Sequence, residues 1–478
     1  MGDFKYQMSI YNLFDYTGVE RHLEKMAAKG WRFTSIGNFF WVYRRTEPAK
    51  VKYSVTYVPE ASQFDPQPLE KQRDIEAYCE EAGWKKVDTW MQMQIFCSEN
   101  PDAVPIDTDE EVRLEAIHKS MKKNFLFSHL LLLIVFLLNA FTNYGLAKRN
   151  WMEFLSDSGR LWTCGIWFTG ILVLTFDIIY YYHWLYKARK RVKVGLNCPE
   201  PKAYRYIAWS YWIILIGCTI GLFSSYTAGK GFFLAIYLAL FFAIIAVVRK
   251  IQERLKREGV SKSGNAAITM GSSVLLTFLM VGGLVGVFLL FGVGTKGRIV
   301  DVDTIEINGQ EWLIHHDTVP LPLYVEDFVE EEGKYSSRWA IKDQESIAAG
   351  YGEYQSELFI ETETGMEIIS IYYDAVTVKL PFLYDFLLKA FYEQEIRYAK
   401  EGEQEKTEYR VAYEGEAGTM YRQYYEGFPM AHDWLVLTDN RIVSLRMYPD
   451  NLDSKQMQRI VETLANNFKY YIDKETCQ

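Results

Sequence analysis

Five long apolar segments in the middle of the chain constrain its fold more than any other feature. They span residues 125–146, 162–186, 206–226, 232–248 and 267–293, and each is at least 17 residues long. A helix of about 20 apolar residues rises by about 30 Å, which is the thickness of the hydrocarbon core of a bilayer. Helices buried in water-soluble proteins rarely reach this length without a polar face. The sequence therefore predicts a multi-domain, multi-pass membrane protein with a bundle of about five transmembrane helices over residues 125–293.

Basic residues predict the orientation of this bundle. Lysines and arginines are frequent before the first span and in the loops 187–205 and 249–262, but scarce in the loops between. Because an excess of Lys and Arg marks the cytoplasmic side of a membrane protein, we expect the N-terminus to be cytoplasmic. Five crossings of the cell membrane then place the C-terminal domain, residues 297–478, outside the cytoplasm. One wrongly assigned span would return that domain to the cytoplasm.

The net charge of −9 is distributed unevenly along the chain. Residues 1–105 carry −2, residues 106–296 carry +11 and residues 297–478 carry −18. The basic central block would attract anionic lipid headgroups, although the determination of topology alone accounts for its charge. The acidic C-terminal block does not suit nucleic-acid binding, which needs a basic surface. We therefore expect membrane lipids as partners and no nucleic acid.

Residues 1–105 contain an internal repeat. Each copy has a strand (Lys5–Tyr11, Lys52–Val58), a helix (Gly18–Lys29, Leu69–Ala82), a Gly-Trp pair (Gly30-Trp31, Gly83-Trp84) and two short strands. A glycine directly after a helix suits the left-handed backbone conformation that often ends one. The repeat predicts a cytoplasmic α+β domain of duplicated β-α-β-β units. Thr108 and Glu111 form a capping-box pattern that opens a helical linker over residues 106–124.

Several residues of the first copy match a known pattern together. They are Phe14-Asp15-Tyr16, Glu20, Leu23, Met26-Ala27 and Gly30-Trp31, and Gly83-Trp84 of the second copy belongs with them. Through these residues the first hundred positions resemble the bacterial family catalogued as domain of unknown function 2812. Proteins of that family occur mostly in Gram-positive bacteria and are frequently fused to transmembrane helices. The resemblance implies a domain boundary and a bacterial envelope setting, but no activity. The family's genes often lie near those of PadR-type transcription regulators, which implies regulated envelope function and assigns no residue.

Four tryptophans of the predicted cytoplasmic domain are candidates for a ligand-binding site. Trp31, Trp41, Trp84 and Trp90 would form an aromatic cleft if the corresponding ends of the two repeats faced each other. Alternatively, these side chains are the core of a small domain. The sequence leaves both interpretations open.

Two polar residues occur well inside the spans. Asp177 and His129 lie in different spans at similar distances from the cytoplasmic ends. A charge in hydrocarbon costs about 2.5–3.5 kcal/mol on insertion scales, so such a group usually faces the bundle interior or water. The two side chains would form an intramembrane pair that senses protons or cations. Alternatively, they make a structural hydrogen bond that fixes helix packing.

The last span contains two glycines one helical turn apart, Gly282 and Gly286. Small residues at this spacing let helix backbones approach closely. The contact would lie either within the bundle or between two copies of the chain, so a homodimer is one prediction of this motif.

The C-terminal domain alternates short strands with turns, including the hairpin signal Asn308-Gly309. Two helical patterns follow, at Leu383–Tyr398 and Ser454–Phe468. This succession predicts an α+β domain with a mostly antiparallel sheet.

The motifs of the C-terminal domain predict no catalytic residue, metal or cofactor. His315-His316-Asp317 and His432-Asp433 lack the spacing of a zinc site, because adjacent histidines in a strand point to opposite faces. The acidic run at 326–332 lacks the spaced ligands and the glycine of a calcium loop. The chain has neither a P-loop nor a Gly-x-Ser-x-Gly nucleophile elbow. We therefore expect no enzymatic activity.

These features favour a non-enzymatic membrane protein that couples an external domain to a cytoplasmic module and senses or regulates an envelope process. A cytoplasmic regulatory protein would be its partner. An accessory or resistance subunit of a membrane export or protection system is the alternative, and an enzyme at the outer face is a third hypothesis. Co-purification of a regulator, co-purification of a transporter, or hydrolysis by residues 297–478 would distinguish the three.

Overall fold

The computed structural model describes residues 3–8, 11–36, 40–66, 68–90, 92–100, 102–225, 228–291, 301–307, 310–362, 365–398 and 407–466. Contacts between residues divide the chain into two units. The first unit consists of Met1–Ala140 and Gly165–Phe291, and the second of Phe141–Cys164 and Gly292–Gln478. The second unit therefore includes the segment between the first two predicted spans as well as the C-terminal domain.

The N-terminal module, residues 3–100, consists of two three-stranded sheets with one helix each. The first copy comprises β1 (Phe4–Gln7), α1 (Tyr16–Ala27), β2 (Trp31–Ile36) and β3 (Trp41–Arg45), and the second comprises β4 (Lys52–Tyr57), α2 (Glu70–Glu81), β5 (Lys85–Trp90) and β6 (Met93–Ser98). The strand orders are β1-β3-β2 and β4-β6-β5, and all neighbouring strands are antiparallel. Both copies therefore have the β-α-β-β topology, with the last strand in the middle of its sheet.

A glycine follows each helix of the module in the left-handed region. Gly30 has a φ of 80° and Gly83 a φ of 82°. Side chains with a Cβ rarely adopt this conformation, so glycine ends both helices and lets the next strand turn back.

The first helix joins the two copies. Val19 and Leu23, one turn apart on α1, are completely buried. They belong to the same core cluster as Tyr43 of β3 and Val55 of β4. The apolar stripe of α1 thus packs onto strands of both sheets, which makes the repeat one folded body.

A long helix leads from the module into the apolar segments. Its first part, α3 (Glu110–Ser120), begins at Asp109, whose Oδ1 accepts hydrogen bonds from two backbone N–H groups of the first turn at 2.8 and 3.2 Å. Asp109 therefore caps the helix in place of the expected Thr108, because its carboxylate reaches the free N–H groups directly. A π-helical stretch, Met121–Leu126, connects α3 to the next helix.

The following helices are α4 (Phe127–Arg149), α5 (Trp151–Ser156), α6 (Ser158–Val192), α7 (Lys202–Ser224), α8 (Ala228–Arg257) and α9 (Lys262–Phe291). Four helical stretches are long and apolar enough to cross a membrane, namely Glu110–Arg149, Ser158–Val192, Ala235–Arg257 and Lys262–Gly283. Only 0 to 17 % of the residues in their apolar windows are buried. Such exposure of apolar helices indicates association with a membrane.

The third predicted span, 206–226, falls largely within α7, Lys202–Ser224. The apolar stretch described within this helix is Trp209–Ser224. The count of five crossings stays a prediction.

The second unit contains a nine-stranded sheet. Its strands are β7 (Asp301–Ile307), β8 (Gln310–His316), β9 (Tyr335–Glu345), β10 (Ala349–Thr362), β11 (Gly365–Val378), β12 (Thr407–Gly415), β13 (Gly418–Tyr425), β14 (Phe428–Leu437) and β15 (Arg441–Tyr448). The order is β12-β13-β14-β15-β11-β10-β9-β8-β7, and only the pair β8–β9 is parallel. The predicted mostly antiparallel sheet is confirmed, and the predicted turn Asn308-Gly309 lies outside the described residues.

Helices cover both faces of this sheet. Neighbouring residues of β14 point to opposite faces, with Val436 in one core cluster and Leu435 in another. The helix α11 (Ser454–Asn466) contributes to the first cluster, and α10 (Tyr384–Tyr398) contributes to the second together with Met152 of α5. Burial on both faces explains the continuous apolar runs of the central strands.

Candidate functional site at the junction of the module and the apolar helices

The junction begins at the turn before α1. Asp15 is buried, and its Oδ1 accepts a hydrogen bond from the backbone N–H of Gly18 at 3.0 Å. An aspartate at this position satisfies a free N–H group of the first helical turn. The capped turn fixes the two residues on either side of Asp15, which are Phe14 and Tyr16.

Phe14 attaches the module to the C-terminal end of α6. Its ring centroid lies 4.9 Å from that of Trp184 and 5.5 Å from that of Tyr181. All three side chains are buried, and Leu185 and Ala188 of α6 belong to the same cluster. The last turns of α6 therefore share one hydrophobic core with the module.

Tyr16 makes the polar part of the same contact. Its hydroxyl donates a hydrogen bond to Glu110 Oε2 at 2.9 Å. Arg113 donates to Glu110 Oε1 at 2.7 Å, and its guanidinium lies 4.8 Å from the centroid of the Tyr16 ring. The backbone N–H of Cys198 donates to Glu110 Oε2 at 3.3 Å. Glu110 thus connects the module, α3 and the loop after α6.

Burial determines the protonation of two groups at this junction. It raises the pKa of the Tyr16 hydroxyl well above its usual range, so Tyr16 remains a hydrogen-bond donor. Burial also raises the pKa of the Cys198 thiol to about 12, helped by the nearby Glu110 carboxylate. The thiol is therefore protonated and poorly reactive while the module is docked.

A loop of the module contacts the neighbouring helix ends. Lys123 Nζ donates to backbone carbonyls of residues 59 and 60 at 3.0 and 3.1 Å. Gln252 of α8 donates to the carbonyl of Gln63 at 3.2 Å, and Asn265 of α9 to that of Phe64 at 3.2 Å. The module thus contacts the ends of several apolar helices, and these ends are the ones with the most lysines and arginines.

Part of the junction falls within a known family. Residues 15–130 match the family described as Protein of unknown function (DUF2812). This part of the chain belongs to that family. The match is longer than the resemblance expected from the sequence, because it continues beyond the module through α3 and into α4. The DUF2812 segment therefore contains both Tyr16 and its partners Glu110 and Arg113. No curated protein matches the chain, and no solved structure matches it either.

His129 and Asp177 meet inside the apolar part of the first unit. His129 Nε2 lies 3.3 Å from Asp177 Oδ2, and His129 Nδ1 lies 2.9 Å from the carbonyl oxygen of Phe125. A carbonyl only accepts, so Nδ1 carries a proton. His129 is thus held by Phe125 on one side of its ring and contacts Asp177 of α6 on the other. The geometry suits a proton-sensing pair and a structural hydrogen bond equally.

The four tryptophans do not line one cleft. Trp41 is buried in the main core of the DUF2812 module, where Tyr11 stacks on it at 5.5 Å, and Trp31 and Trp90 pack against the same core. Trp84 lies in a separate cluster, and its Nε1 donates to the carbonyl of Val104 at 3.0 Å. The structure therefore places these side chains in the packing of the module.

Gly282 of the last span has an open side. A Cβ added at Gly282 would have no atom within 4 Å, and the surroundings of Gly286 lie outside what the structure describes. Homodimerisation through this pair stays a prediction.

In the second unit, α5 binds to the sheet. Met152 is buried in the core cluster around β10 and α10. Glu153 pairs with Lys342 of β9 at 2.9 Å, and the hydroxyl of Ser346 donates to the carbonyl of Leu155 at 2.5 Å. The sequence reasoning missed this attachment, although Asn150 followed by Glu153 is an N-cap signal, and the Asn150 side chain does accept from the Glu153 N–H at 3.0 Å.

The candidate metal ligands of the C-terminal domain are used in other contacts. His316 pairs with Asp303 at 3.0 Å, and the His315 ring stacks on Trp339 at 4.7 Å. His432 has a side chain outside the described part. Among the residues whose positions are described, no group of three or more His, Cys, Asp or Glu could hold a metal ion.

Proposed function

We propose that the chain is a non-enzymatic, multi-pass protein of the bacterial cell membrane. In this proposal the cytoplasmic DUF2812 module responds to the state of an extracytoplasmic C-terminal domain. The protein thereby senses or regulates an envelope process through a cytoplasmic regulatory partner.

The observation that carries the proposal is the attachment of both ends of α6. This helix has 35 residues without interruption, which at about 1.5 Å per residue corresponds to roughly 50 Å. At its start, the Ser158 hydroxyl donates to the carbonyl of Glu345 in β9 at 3.0 Å. At its other end, Tyr181 and Trp184 are buried in the core of the module. A continuous helix held by a folded domain at each end transmits a displacement from one to the other.

The sidedness rests on charge and connectivity. The helix ends that contact the module are the basic ones, which favours the cytoplasm for the module. The segment between α4 and α6 packs on the C-terminal sheet, which favours the opposite side for that sheet if α4 crosses once.

The mechanism requires two arrangements of the junction. A ligand or protein bound by the C-terminal domain would shift α5 and the start of α6. The shift would change the contact of Phe14 with Trp184 at the far end. The module would then expose a different face to its cytoplasmic partner.

Reaction of Cys198 with a maleimide tests this coupling in the full chain in native membranes. Met152→Asp should release α5 from the sheet, because it places a charge in the second unit's core. We expect the rate of Cys198 modification to rise about tenfold, because a shift of α6 loosens the junction that buries the thiol. Met430→Asp, at a residue that is 36 % exposed in β14, is the matched control and should leave the rate unchanged.

Cys79 shows whether the module itself unfolds. It is buried in a different cluster of the module, so its reactivity should stay low in both variants. The proposal fails if proteolysis shows that Met152→Asp has released α5 while Cys198 remains as protected as in the wild type.

A further inference from the structure

A cavity of about 870 Å³ lies in the first unit between the module and two apolar helices. Its module side is formed by residues 61–66, by Pro68 and by Trp90. Its other side is formed by α8 and α9. This volume is in the usual range for a small-molecule site, and its position beside apolar helices gives it access to lipid.

The cavity changes from apolar to charged along α8. Phe241, Ile244, Ile245 and Val248 line one part, at the spacing of a single helix face. The next lining residues along the same helix are Arg249, Gln252 and Lys256. The change occurs where the helix passes from its apolar stretch to its basic end, as expected at the boundary between hydrocarbon and headgroups.

The wall formed by α9 adds hydroxyl groups. Thr269, Ser273 and Thr277 recur every four residues and face the cavity. The Thr269 hydroxyl donates to Asn265 Oδ1 at 3.0 Å and that of Thr277 to the Ser273 carbonyl at 2.9 Å. Because each of these two hydroxyls has used its proton in this bond, its oxygen can only accept a further hydrogen bond, which suits a hydroxyl group of a lipid headgroup such as glycerol.

One cation at the charged end makes no ion pair in the part of the chain that the structure describes. Lys86 pairs with Glu76 at 3.0 Å, and Arg249 pairs with Glu253 at 3.1 Å. Lys256 is partly buried and has no carboxylate within ion-pair distance among these residues, although Asp65 and Glu253 line the same cavity. A partly buried ammonium group favours an anion that enters from outside the chain.

We propose that this cavity binds a glycerophospholipid with an anionic phosphate headgroup. Its acyl chain would lie along Phe241–Val248, and its phosphate would contact Lys256. A peptide helix would satisfy the apolar wall but would leave Lys256 without an anion, so the charge distribution favours the lipid. The bound lipid would touch both the DUF2812 module and α8, and the inference is independent of any coupling through α6.

The test compares lipid retention by the full chain purified in mild detergent and exchanged into mixed micelles. Native mass spectrometry measures the bound fraction of phosphatidylglycerol and of phosphatidylcholine. We expect retention of phosphatidylglycerol, and Lys256→Gln should weaken it about fivefold, because one lysine near an anionic lipid contributes about 1 kcal/mol. Lys250→Gln removes the same charge from an exposed position of α8 outside the cavity and should have no effect.

Two further arms identify the source of the phosphate and exclude misfolding. Ser273→Phe should fill the apolar part and reduce retention while Lys256 is intact. Glycerol 3-phosphate should not compete if the acyl chain contributes to binding. Equal retention of both lipids, wild-type retention by Lys256→Gln, or a co-purified peptide in the cavity would each overturn the proposal. Equal thermal unfolding of all variants serves as the folding control.

Discussion

At the scale of single residues, three consecutive side chains make different contacts that attach the module to the apolar helices. Asp15 fixes the start of α1, Phe14 enters the core that contains Trp184, and Tyr16 binds Glu110. The segment that matches the family, residues 15–130, contains Asp15 and Tyr16. Each of the three residues has a physical role in the structure, because removal of any one of these side chains would leave a buried group of the junction without its partner.

Glu20 predicts a pH dependence of the module. Its Oε1 accepts the N–H of Val55 at 2.8 Å, and burial raises its pKa to about 7. The pKa of this carboxyl group is higher in the folded state than in the unfolded state, so the folded state has its full stability only below the unfolded-state pKa. This stability is lost as the pH rises through about 7. Glu20→Gln should therefore be more stable than the wild type at pH 8, by an amount on the order of 2 kcal/mol, and similar to it near pH 4.5.

The measurement for Glu20 is urea unfolding of the full chain in detergent, followed by tryptophan fluorescence at several pH values. Glu80→Gln, at an exposed position of α2, is the control and should keep the wild-type pH profile. An unchanged profile in Glu20→Gln would show that the carboxyl group is not the source.

Asp177 predicts a contribution of its contact with His129 to the stability of the apolar bundle. Asp177→Asn keeps a side chain that can hydrogen-bond His129 Nε2, whereas Asp177→Ala removes the contact. We expect Asp177→Ala to unfold at a lower temperature than Asp177→Asn, because it leaves a ring nitrogen of His129 without its partner. Thermal unfolding of the full chain in detergent measures both variants, and equal unfolding temperatures would show that the contact does not hold the two helices together.

At the scale of elements, the duplicated module could be read from the sequence because its signals are local. Apolar residues at helical spacing and a glycine after each helix are sufficient to place α1, α2 and the strands that follow. The π-helical stretch Met121–Leu126 has no such local signal, and its sequence reads as ordinary helix. Strand β9 and helix α5 were not predicted, because α5 is only six residues long and its burial depends on contacts with the distant β10.

Contacts of the candidate site between residues distant in the chain could not be predicted from the sequence either. The sequence places His129 and Asp177 at similar depth from span positions alone. It does not indicate that Tyr16 would bind Glu110, since 94 positions separate them in the chain. The four tryptophans suggested a cleft, but the different environments of Trp84 and Trp41 depend on the packing of the whole module.

The two equivalent glycines of the module predict unequal effects. Both have positive φ, so alanine should cost about 1 kcal/mol at either position. A Cβ at Gly30 would also lie 2.8 Å from the carbonyl oxygen of Thr46, whereas a Cβ at Gly83 would have no atom within 4 Å. Gly30→Ala should therefore lower the free energy of unfolding by clearly more than Gly83→Ala. Hydrogen exchange of the β4–β6 amides in the full chain measures both, and equal losses would contradict the close approach at Gly30.

At the scale of the whole molecule, the sidedness of the C-terminal domain does not have to rest on counting spans. The helix α4 starts next to residues that belong with the module and ends next to α5, which packs on the C-terminal sheet. If α4 crosses the membrane once, we expect the sheet on the side opposite to the start of α4, whether or not α7 crosses. This expectation depends on the crossing of α4 and not on the number of later spans.

Cysteine labelling of intact cells tests this argument. Phe428→Cys places a thiol at a 76 % exposed position of the C-terminal sheet, and Tyr78→Cys places one at a 70 % exposed position of the module. In a background without other reactive cysteines, a membrane-impermeant maleimide should label Phe428→Cys on intact cells and Tyr78→Cys only after permeabilisation, because the reagent cannot cross the bilayer. Labelling of both only after permeabilisation would place the C-terminal domain in the cytoplasm. It would also require α4 to lie along the membrane or to cross it incompletely, since α5 is bound to the sheet, and coupling across the membrane through α6 would then be lost.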